Sequence, residues 1–289
     1  MTPQLSIIIL SYNTKDLIRK CLTSVYSTIQ SVSFEVIVVD NASGDQSVTM
    51  IKKEFKKVHV IESKENLGFG NGINLGVKSA KGEFLLFLNS DAELQADVFS
   101  QMITYMKSNE RIGILGGKLL NYDGSMQRSF SNFYGVKDIV ILLFGREKVE
   151  MSLLGKDVRK EVDWVSGGCM WIRRSVFDAI QGFDPQIFMY IEDMEICFRV
   201  RKLGYTIYYY PDFVVKHVGH GSSNREFGIT NIYKGIKYFY KKHKSSQEVI
   251  LVRIFLQLKA YLVILIATLT HKSHLSQTYR KALQYIDTV

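Results

Sequence analysis

The fold of this chain is decided by the stretch Glu83-Phe84-Leu85-Leu86-Phe87-Leu88-Asn89-Ser90-Asp91. Its five consecutive apolar residues predict a strand that is buried on both faces, as in a parallel sheet. The polar residues that follow lie where open α/β sheets bind their ligands, so we expect Asp91 in a crevice. A carboxylate there can hold Mg²⁺ or Mn²⁺ together with phosphate oxygens. Alternatively, Asn89 or Asp91 caps a helix that begins near Leu94.

Strands and helices alternate on the N-terminal side of this stretch. Strands are predicted at residues 5–10, 34–40 and 58–61, and Asn13 or Thr14 can cap the first of the intervening helices. This alternation predicts an α/β fold with a mostly parallel, Rossmann-like central sheet flanked by helices on both faces. The strands that end at Asp40 and Asp91 then share one edge of the sheet.

A glycine-rich turn from Asn66 to Gly72 opens a predicted helix toward Ala80. The turn lacks the Gly-Lys-Ser/Thr of a phosphate-binding loop, and Gly68 and Gly70 do not follow the first strand as a dinucleotide fingerprint requires. Two interpretations remain open. The glycines either let the backbone approach a nucleotide or sugar closely, or they only permit a tight turn.

A second acidic site lies far along the chain. Glu192, Asp193 and Glu195 fall where an apolar helical pattern begins. Free backbone N–H groups and the helix dipole stabilise ionised carboxylates at such a position. An ordinary acidic first turn on a solvated helix explains this cluster equally well when the cluster is considered alone.

The composition predicts a large, well-packed protein. The chain has 289 residues, 46% of them hydrophobic, and only three prolines, so it can form one extended α/β domain or a domain with an appendage. Cys21, Cys169 and Cys197 lie in apolar segments without metal-ligand spacing. The first strand begins within a few residues of the start, which leaves no room for a signal peptide. We therefore expect a cytoplasmic location without disulfides.

The net charge of +9 is concentrated toward the C-terminus, where basic and aromatic residues alternate over residues 233–244. Such a surface suits nucleic acid or an anionic membrane. Residues 249–269 are mostly apolar, but the uninterrupted part, 260–269, is too short to span a bilayer. A helix lying in the membrane interface is the preferred interpretation, and a core or dimer helix is the alternative. We expect no nucleic-acid partner, because no recognition motif accompanies the charge.

Ordered motifs give residues 5–225 a family resemblance. The segments that carry it are Ser6 to Asn13, Val36 to Asp45, Asn66 to Gly76, Leu85 to Asp91, Gly167 to Met170, Gly182 to Arg199 and Val214 to His217. Together they resemble the inverting family 2 glycosyltransferases with the GT-A fold, in particular bacterial rhamnosyltransferase-like members. The resemblance implies a GT-A domain over residues 1–225, with a nucleotide-sugar half to about residue 118 and an acceptor half after it. An amphipathic helical extension, residues 226–289, follows.

The resemblance also implies a role for each matching position. Asp193 is expected to be the catalytic base with Glu192 beside it, and Glu195 is expected to be a cap or a solvated charge. Asp91 and His217 are expected to hold Mg²⁺ or Mn²⁺, although His217 can instead be a structural histidine. The nucleotide-sugar site is expected to comprise Ser11, Asn13, Asp40, Asn66, Gly68, Asn74, Asn89 and Ser90, with Asp40 on the nucleobase. The acceptor site is expected to include Gly168, Cys169 and Met170.

Two departures from the wider family refine the expected function. Asn89-Ser90-Asp91 replaces the common Asp-x-Asp, which favours a dTDP-deoxysugar such as dTDP-rhamnose over a UDP-sugar. The Gln-x-x-Arg-Trp element of processive synthases is missing, which indicates that a single sugar is added. The region from residue 121 to residue 163 is expected to shape the acceptor site.

These observations predict a metal-dependent inverting glycosyltransferase. It takes a sugar from a nucleotide-diphosphate sugar and adds it to a glycan or a polyprenyl-diphosphate-linked glycan at the inner face of the cell membrane. A sugar-nucleotide nucleotidyltransferase is the first alternative, although residues 11–15 lack the glycine-rich loop that such an enzyme would carry. A basic nucleic-acid-binding protein is the second.

Overall fold

The structure is a computed structural model that describes residues 2–133, 135, 158–219 and 225–287. The chain divides into two compact units. Within the described ranges, the first unit contains residues 2–131, 158–188 and 192–219, and the second contains residues 132, 133, 135, 189–191 and 225–287.

The first unit is built around a mixed sheet. The strands of the described ranges are β1 (Leu5–Ser11), β2 (Phe34–Asp40), β3 (His59–Glu62), β4 (Phe84–Asn89), β5 (Ala92–Leu94), β6 (Ile112–Leu120), β7 (Phe130–Ser131), β8 (Lys160–Glu161), β9 (Trp164–Val165), β10 (Cys169–Arg173) and β11 (Thr206–His217). Nine of them form the main sheet in the order β3-β2-β1-β4-β10-β6-β11-β5, with β8 beside β11, while β7 and β9 form a separate pair.

Helices cover this sheet and connect its strands. In the first unit they are α1 (Lys15–Thr28), α2 (Ser47–Glu54), α3 (Phe69–Val77), α4 (Phe99–Ser108), α5 (Arg174–Ala179) and α6 (Glu192–Lys202). The apolar side chains of β4 are fully buried, and α1 buries Ile18, Cys21, Leu22 and Val25. The predicted α/β fold with a helix-flanked sheet is therefore confirmed.

The register of the parallel strands decides where the functional edge lies. β1 pairs in parallel with β2 and with β4, so that Ser11 lies opposite Asp40 and Leu10 lies opposite Asn89. The carboxyl ends of these three strands thus meet at one edge, as the alternation of elements predicts. β10 runs antiparallel between β4 and β6, which makes the second half of the sheet mixed.

Several predicted element boundaries differ from the structure. The helix expected near Leu94 is absent there, because residues 92–94 form β5 and α4 begins only at Phe99. Val98 occupies the N-cap position of α4, so the interpretation of Asp91 as a helix cap is wrong. Thr14 precedes α1 as predicted, but its side chain makes no capping hydrogen bond.

The glycine turn serves the packing of α3. A Cβ at Gly70 would lie 2.8 Å from Cβ of Phe183, and one at Gly72 would overlap the side chain of Leu10. Gly68 has a φ of +77°, and a Cβ there would overlap the carbonyl oxygen of Phe188. These contacts are with protein atoms, which favours the tight-turn interpretation for this segment.

In the described part of the second unit, the helices are α7 (Arg225–His243), α8 (Ser246–Leu269) and α9 (Ser273–Asp287). Ser245 and Glu248 form a capping box at the start of α8. One stripe of α8 is buried, formed by Val252, Leu256, Ala260 and Ala267. In the described ranges, α8 is the one helix long and apolar enough to cross a membrane, and most of its residues are not buried.

A substitution at Gly68 tests the close contact at the start of α3. We expect Gly68→Ala to lower the free energy of unfolding by about 2–4 kcal/mol, because it adds left-handed backbone strain and an overlap with Phe188. Urea unfolding measures the change.

Substitutions at two other glycines distinguish the cost of left-handed backbone strain from the cost of the overlap with Phe188. Gly124 has a φ of +83° but open space around it, so Gly124→Ala should cost only about 1 kcal/mol. Gly44 has open space and no positive φ, so Gly44→Ala should change stability by less than about 0.5 kcal/mol. Equal effects at Gly68 and Gly124 would show that the overlap with Phe188 is unimportant.

Candidate active site

Asp91 and His217 lie side by side at the edge where β4 ends. Asp91 follows β4, and His217 is the last residue of β11, paired with Ala92. The His217 Nε2 atom lies 3.2 Å from Oδ1 of Asp91 and 3.0 Å from the side-chain amide Nδ2 of Asn89. Burial disfavours the charge on Asp91, whereas hydrogen bonds from backbone N–H groups favour it.

This pair fits a divalent cation. Neighbouring ligands of a six-coordinate cation such as Mg²⁺ are about 3 Å apart, which matches the separation of the two atoms. Carboxylate oxygen is a suitable ligand for both Mg²⁺ and Mn²⁺, and imidazole nitrogen is a further ligand for Mn²⁺, the softer of the two ions. The described residues contain no group of three or more His, Cys, Asp or Glu side chains placed to hold a metal. A cation held by Asp91 and His217 would therefore take its other ligands from phosphate and water.

Asp40 presents a buried acceptor at the same edge. Its Oδ2 atom accepts a hydrogen bond of 2.9 Å from the N–H of Ser43. Its Oδ1 atom is buried and has no hydrogen-bond partner within the part of the chain that the structure describes. A buried acceptor without a partner is costly, so this oxygen is suited to a ligand that donates an N–H group.

A line of hydroxyl groups crosses this edge from β1 toward β4. The Ser11 and Thr14 hydroxyls are 3.1 Å apart, and the Thr14 hydroxyl donates to Oγ of Ser90 at 3.0 Å. All three residues are buried. The structure therefore brings Ser11 and Ser90 together between Asp40 and Asp91.

Three predicted nucleotide-sugar residues brace the loops at this edge. Asn13 Oδ1 accepts a hydrogen bond from the N–H of Gly44, and Asn66 Oδ1 accepts one from the N–H of Gly68. Asn74 bonds the backbone of Phe183 twice, donating from Nδ2 at 2.8 Å and accepting at Oδ1 at 2.9 Å. Both polar atoms of the Asn74 side chain therefore bind the backbone of Phe183 and not a nucleotide sugar. They hold the segment around Phe183 against α3.

Glu192 and Asp193 are the first two residues of α6, where Glu192 is buried and Asp193 is partly buried. Asp193 accepts hydrogen bonds from the backbone N–H groups of Gly167 at 3.2 Å and Met194 at 2.8 Å. Burial raises the pKa of Asp193 above its ordinary value, although these N–H groups and the charge of Arg128 oppose the rise. Burial and the neighbouring charge of Asp193 raise the pKa of Glu192 to about 8.

The two carboxyl groups therefore have different surroundings. Glu192 is protonated, whereas the hydrogen bonds to Asp193 stabilise its ionised form. The Oε2 atom of Glu192 is buried and lacks a hydrogen-bond partner among the described residues. A proton on Glu192 removes the cost of burying a second charge beside Asp193.

The Gly167-Gly168 turn joins the two acidic sites. The N–H of Gly167 bonds Asp193, while a Cβ on Gly168 would lie 3.0 Å from Nδ2 of Asn89 and 3.5 Å from Nε2 of His217. Larger residues would crowd both groups. The two glycines thus place backbone without side chains between the Glu192–Asp193 pair and the Asp91–His217 pair.

The structure corrects two further expectations from the sequence. Cys169 is 2% exposed and Met170 is fully buried, since both lie in β10 inside the main sheet. Their side chains therefore lie in the sheet core, and of the three predicted acceptor residues Gly168 is the one beside Asn89 and His217. Glu195 is not a solvated charge, because it is fully buried in a salt bridge of 2.7 Å with Arg199.

Two residues at this site were not selected from the sequence. Gln127 contacts His217, with 2.8 Å between Gln127 Oε1 and Nδ1 of the imidazole. Arg128, the next residue, favours the ionised form of Asp193. Both lie in the region from residue 121 to residue 163, which the sequence analysis expected to shape the acceptor site without singling out a residue. Residues 136–157 of that region, and Gly221, Ser222 and Ser223 downstream of His217, lie outside the described residues.

The family model described as Glycosyl transferase family 2 matches residues 6–181, more than half of the chain. The chain belongs to glycosyl transferase family 2. This result decides against the nucleotidyltransferase and nucleic-acid-binding alternatives as the main function. The matched range contains Asp40 and Asp91 but ends before Asp193 and His217, which the tertiary structure brings to the same site.

Curated relatives of this transferase act in glycan assembly. A low-salt glycan biosynthesis hexosyltransferase of Haloferax volcanii is 30% identical over 207 residues, which are 70% of this chain and 63% of that protein. The N-acetylglucosaminyl-diphospho-decaprenol L-rhamnosyltransferase of Mycobacterium tuberculosis is 25% identical over 252 residues, covering 78% of this chain and 80% of the relative. Rhamnosyltransferase WbbL of Escherichia coli is 28% identical over 233 residues, covering 76% and 85%.

Solved structures confirm the GT-A fold of the transferase. A mannosyltransferase of Pyrobaculum calidifontis, in complex with GDP-mannose and Mn²⁺, has a TM-score of 0.59 and 16% identity over 99% of this chain and 84% of its own. GalNAc-T7 with UDP, GalNAc and Mn²⁺ has the same TM-score and identity over 83% of this chain and 50% of its own. At this identity the likeness shows the fold alone.

The raised pKa of Glu192 predicts a pH-dependent stability of the transferase. In the folded chain this carboxyl keeps its proton to about pH 8, but in the unfolded chain it ionises near its ordinary pKa of 4.5. Between these values the folded state binds more protons, so the wild-type protein loses stability as the pH rises. Glu192→Gln removes this loss.

We therefore expect the melting temperature of Glu192→Gln to rise relative to wild type between about pH 5 and about pH 8, by about 3 °C per kcal/mol of the difference. Thermal unfolding at several pH values in this window measures it. Glu65→Gln is the matched control, because Glu65 is exposed. Parallel pH curves for wild type and Glu192→Gln would contradict the raised pKa.

Proposed function

We propose that this family 2 enzyme is a metal-dependent, inverting, non-processive glycosyltransferase, with the transferase domain in residues 1–225. It moves one sugar from a nucleotide-diphosphate sugar, such as dTDP-rhamnose or a UDP-sugar, to a hydroxyl group of a glycan. The observation that carries the proposal is the placement of the Asp193 carboxylate and the Asp91–His217 pair at opposite ends of one Gly167-Gly168 turn.

Asp193 has the properties of a general base. Its pKa is raised by burial, which brings it closer to the working pH, while two backbone N–H groups hold the carboxylate in one orientation. In the proposed reaction Asp193 takes the proton of the acceptor hydroxyl, whose oxygen forms a bond to C1 of the sugar. The bond from C1 to the diphosphate oxygen breaks on the opposite face, so the configuration at C1 is inverted.

The donor binds along the edge formed by β1, β2 and β4. The unpartnered Oδ1 of Asp40 is suited to a nucleobase N–H such as the imide of uracil or thymine, and Ser11 and Ser90 place hydroxyl groups between Asp40 and the metal pair. Asp91 and His217 would hold the cation, which would take the Nε2 lone pair from the Asn89 amide. A bound Mg²⁺ or Mn²⁺ would supply charge neutralisation for the departing diphosphate.

The acceptor in this proposal is a polyprenyl-diphosphate-linked glycan at the inner face of the cell membrane. The Mycobacterium tuberculosis relative is named for a decaprenol-linked acceptor. The C-terminal extension supplies a surface for the membrane, because large apolar side chains on α8 are exposed, among them Leu258, Leu262 and Leu265. Lys259 and Arg253 lie on the same helix and can contact anionic headgroups.

Substitutions of the two aspartates separate catalysis from donor binding. Asp193→Asn should lower turnover at least about 100-fold through loss of the base, while nucleotide binding survives. Asp91→Ala should weaken Mn²⁺-dependent nucleotide binding as well, by about tenfold or more. Release of nucleoside diphosphate from UDP-, dTDP- and GDP-sugars, with and without Mn²⁺ or Mg²⁺, measures turnover, and calorimetry measures binding.

The control for these variants is Asp16→Asn, since Asp16 is an exposed residue of α1. Turnover that is insensitive to Asp193→Asn would overturn the assignment of the base. No release from any donor in the presence of a lipid-linked acceptor panel would overturn the transferase proposal for these substrates. The anomeric configuration of the product tests inversion separately.

Sedimentation with phospholipid vesicles tests the membrane contact. The joint variant Leu258→Gln, Leu262→Gln and Leu265→Gln should bind anionic vesicles at least about tenfold more weakly than wild type, because three half-exposed apolar side chains are lost from the contact. Val158→Gln with Leu203→Gln is the control, since these exposed apolar residues lie in the first unit. Equal vesicle binding by wild type and the α8 variant would overturn this part of the proposal.

A further inference from the structure

Gln127 contacts His217 on the side of the ring that faces away from Asp91. Its Oε1 atom lies 2.8 Å from Nδ1 of the imidazole. Its Nε2 atom donates two hydrogen bonds, one of 2.7 Å to the backbone carbonyl of His217 and one of 2.6 Å to Oδ1 of Asn121. Gln127 therefore holds both the ring and the backbone of one residue.

These partners fix which way the Gln127 amide points. The carbonyl oxygen of His217 can only accept a hydrogen bond, so the Gln127 atom that faces it must be the donor Nε2. Asn121 is oriented in turn, because its own Nδ2 donates to Oγ of Ser125 at 2.8 Å and leaves its Oδ1 for Gln127. Oε1 of Gln127 is then the atom that faces the imidazole, and it can only accept.

The orientation of Gln127 decides where the imidazole proton lies. A neutral imidazole has one N–H and one lone pair, and an acceptor next to Nδ1 places the proton on Nδ1. The lone pair is then on Nε2, where Nδ2 of Asn89 donates to it at 3.0 Å. Nε2 and Oδ1 of Asp91 are then two acceptors 3.2 Å apart, and a cation that bound both would take the Nε2 lone pair from the Asn89 amide.

We propose that Gln127 is a positioning residue, which holds His217 as the Nδ1–H tautomer and so presents Nε2 beside Asp91 as a metal ligand. As far as the metal is concerned, this inference rests on the proposed function. The competing arrangement puts the proton on Nε2, donates it to Oδ1 of Asp91 and leaves no lone pair for a cation. Gln127 excludes that arrangement because Nδ1 would then face Oε1 as a second acceptor.

A purely structural role for Gln127 makes a different prediction. The hydrogen bonds to Asn121 and to the backbone of His217 join the 121–127 turn to the end of β11, and their loss alone would lower stability. It would not select a tautomer. A test must therefore measure the imidazole and metal affinity separately from stability.

The test compares Gln127→Met with Gln127→Glu. The methionine is close in shape but lacks an acceptor for Nδ1–H, whereas the glutamate keeps one. Long-range ¹H–¹⁵N spectra at about pH 8.5, two units above the pKa of a free imidazole, distinguish protonated from unprotonated ring nitrogens. The His217→Ala spectrum identifies the His217 signals among the six histidines. Mn²⁺ binding in the presence of UDP or dTDP is measured by electron paramagnetic resonance, and Gln101→Met on exposed α4 surface is the matched control.

We expect wild type and Gln127→Glu to carry the proton on Nδ1, and Gln127→Met to carry it on Nε2. Mn²⁺ affinity should fall about 10–100-fold in Gln127→Met but stay within about threefold of wild type in Gln127→Glu. Both variants should melt below wild type, so stability and metal affinity will not change together.

Three results would overturn the inference. The first is a Gln127→Met variant with wild-type tautomer and Mn²⁺ affinity, and the second is an equal loss of affinity in both variants. If Gln127→Met does not fold, a more than tenfold loss in Gln127→Glu is the third. If wild type itself binds no Mn²⁺ with either nucleotide, the metal part of the proposed function fails, and the spectra still decide whether Gln127 sets the tautomer.

Discussion

The site depends on how β10 enters the sheet. β10 runs antiparallel between β4 and β6, so its start lies beside the carboxyl end of β4. The carbonyl of Gly168 accepts a hydrogen bond of 3.1 Å from the N–H of Asn89, which holds the glycine turn against the residues that precede Asp91. Without side chains on Gly167 and Gly168, the Asp91–His217 pair and Asp193 can approach the same turn from its two ends. A parallel strand at this position would carry its start to the opposite edge of the sheet.

The carboxyl groups at the two ends of that turn are stabilised in different ways. Asp91 is buried beside His217, and backbone N–H groups stabilise its ionised form. Glu192 and Asp193 are neighbours, and burial raises the pKa of both. Such a division suits a reaction that needs a permanent anion on the leaving-group side and a proton acceptor on the other side.

The side chains that support the site make hydrogen bonds as specific as those of the side chains that line it. Asn74 holds Phe183 and Gln127 holds His217, each through an amide that donates and accepts at once, and Asn66 accepts a hydrogen bond from Gly68. Amides suit this task because they carry no charge whose burial would need compensation. A sequence motif does not distinguish an amide that binds a ligand from one that binds the backbone, which is why Asn74 was assigned to the nucleotide sugar.

The sequence by itself determined the α/β fold, the edge where Asp40 and Asp91 meet, and the two acidic sites. These follow from local patterns, since a buried parallel strand needs an apolar run and its polar end must lie at the sheet edge. Only the tertiary structure decided that Cys169 and Met170 are buried, that the Glu195 side chain is buried, and that Gln127 lies against His217. Each of these depends on which strand or helix packs beside the residue, and a contact between residues 127 and 217 has no signature in the spacing of either segment.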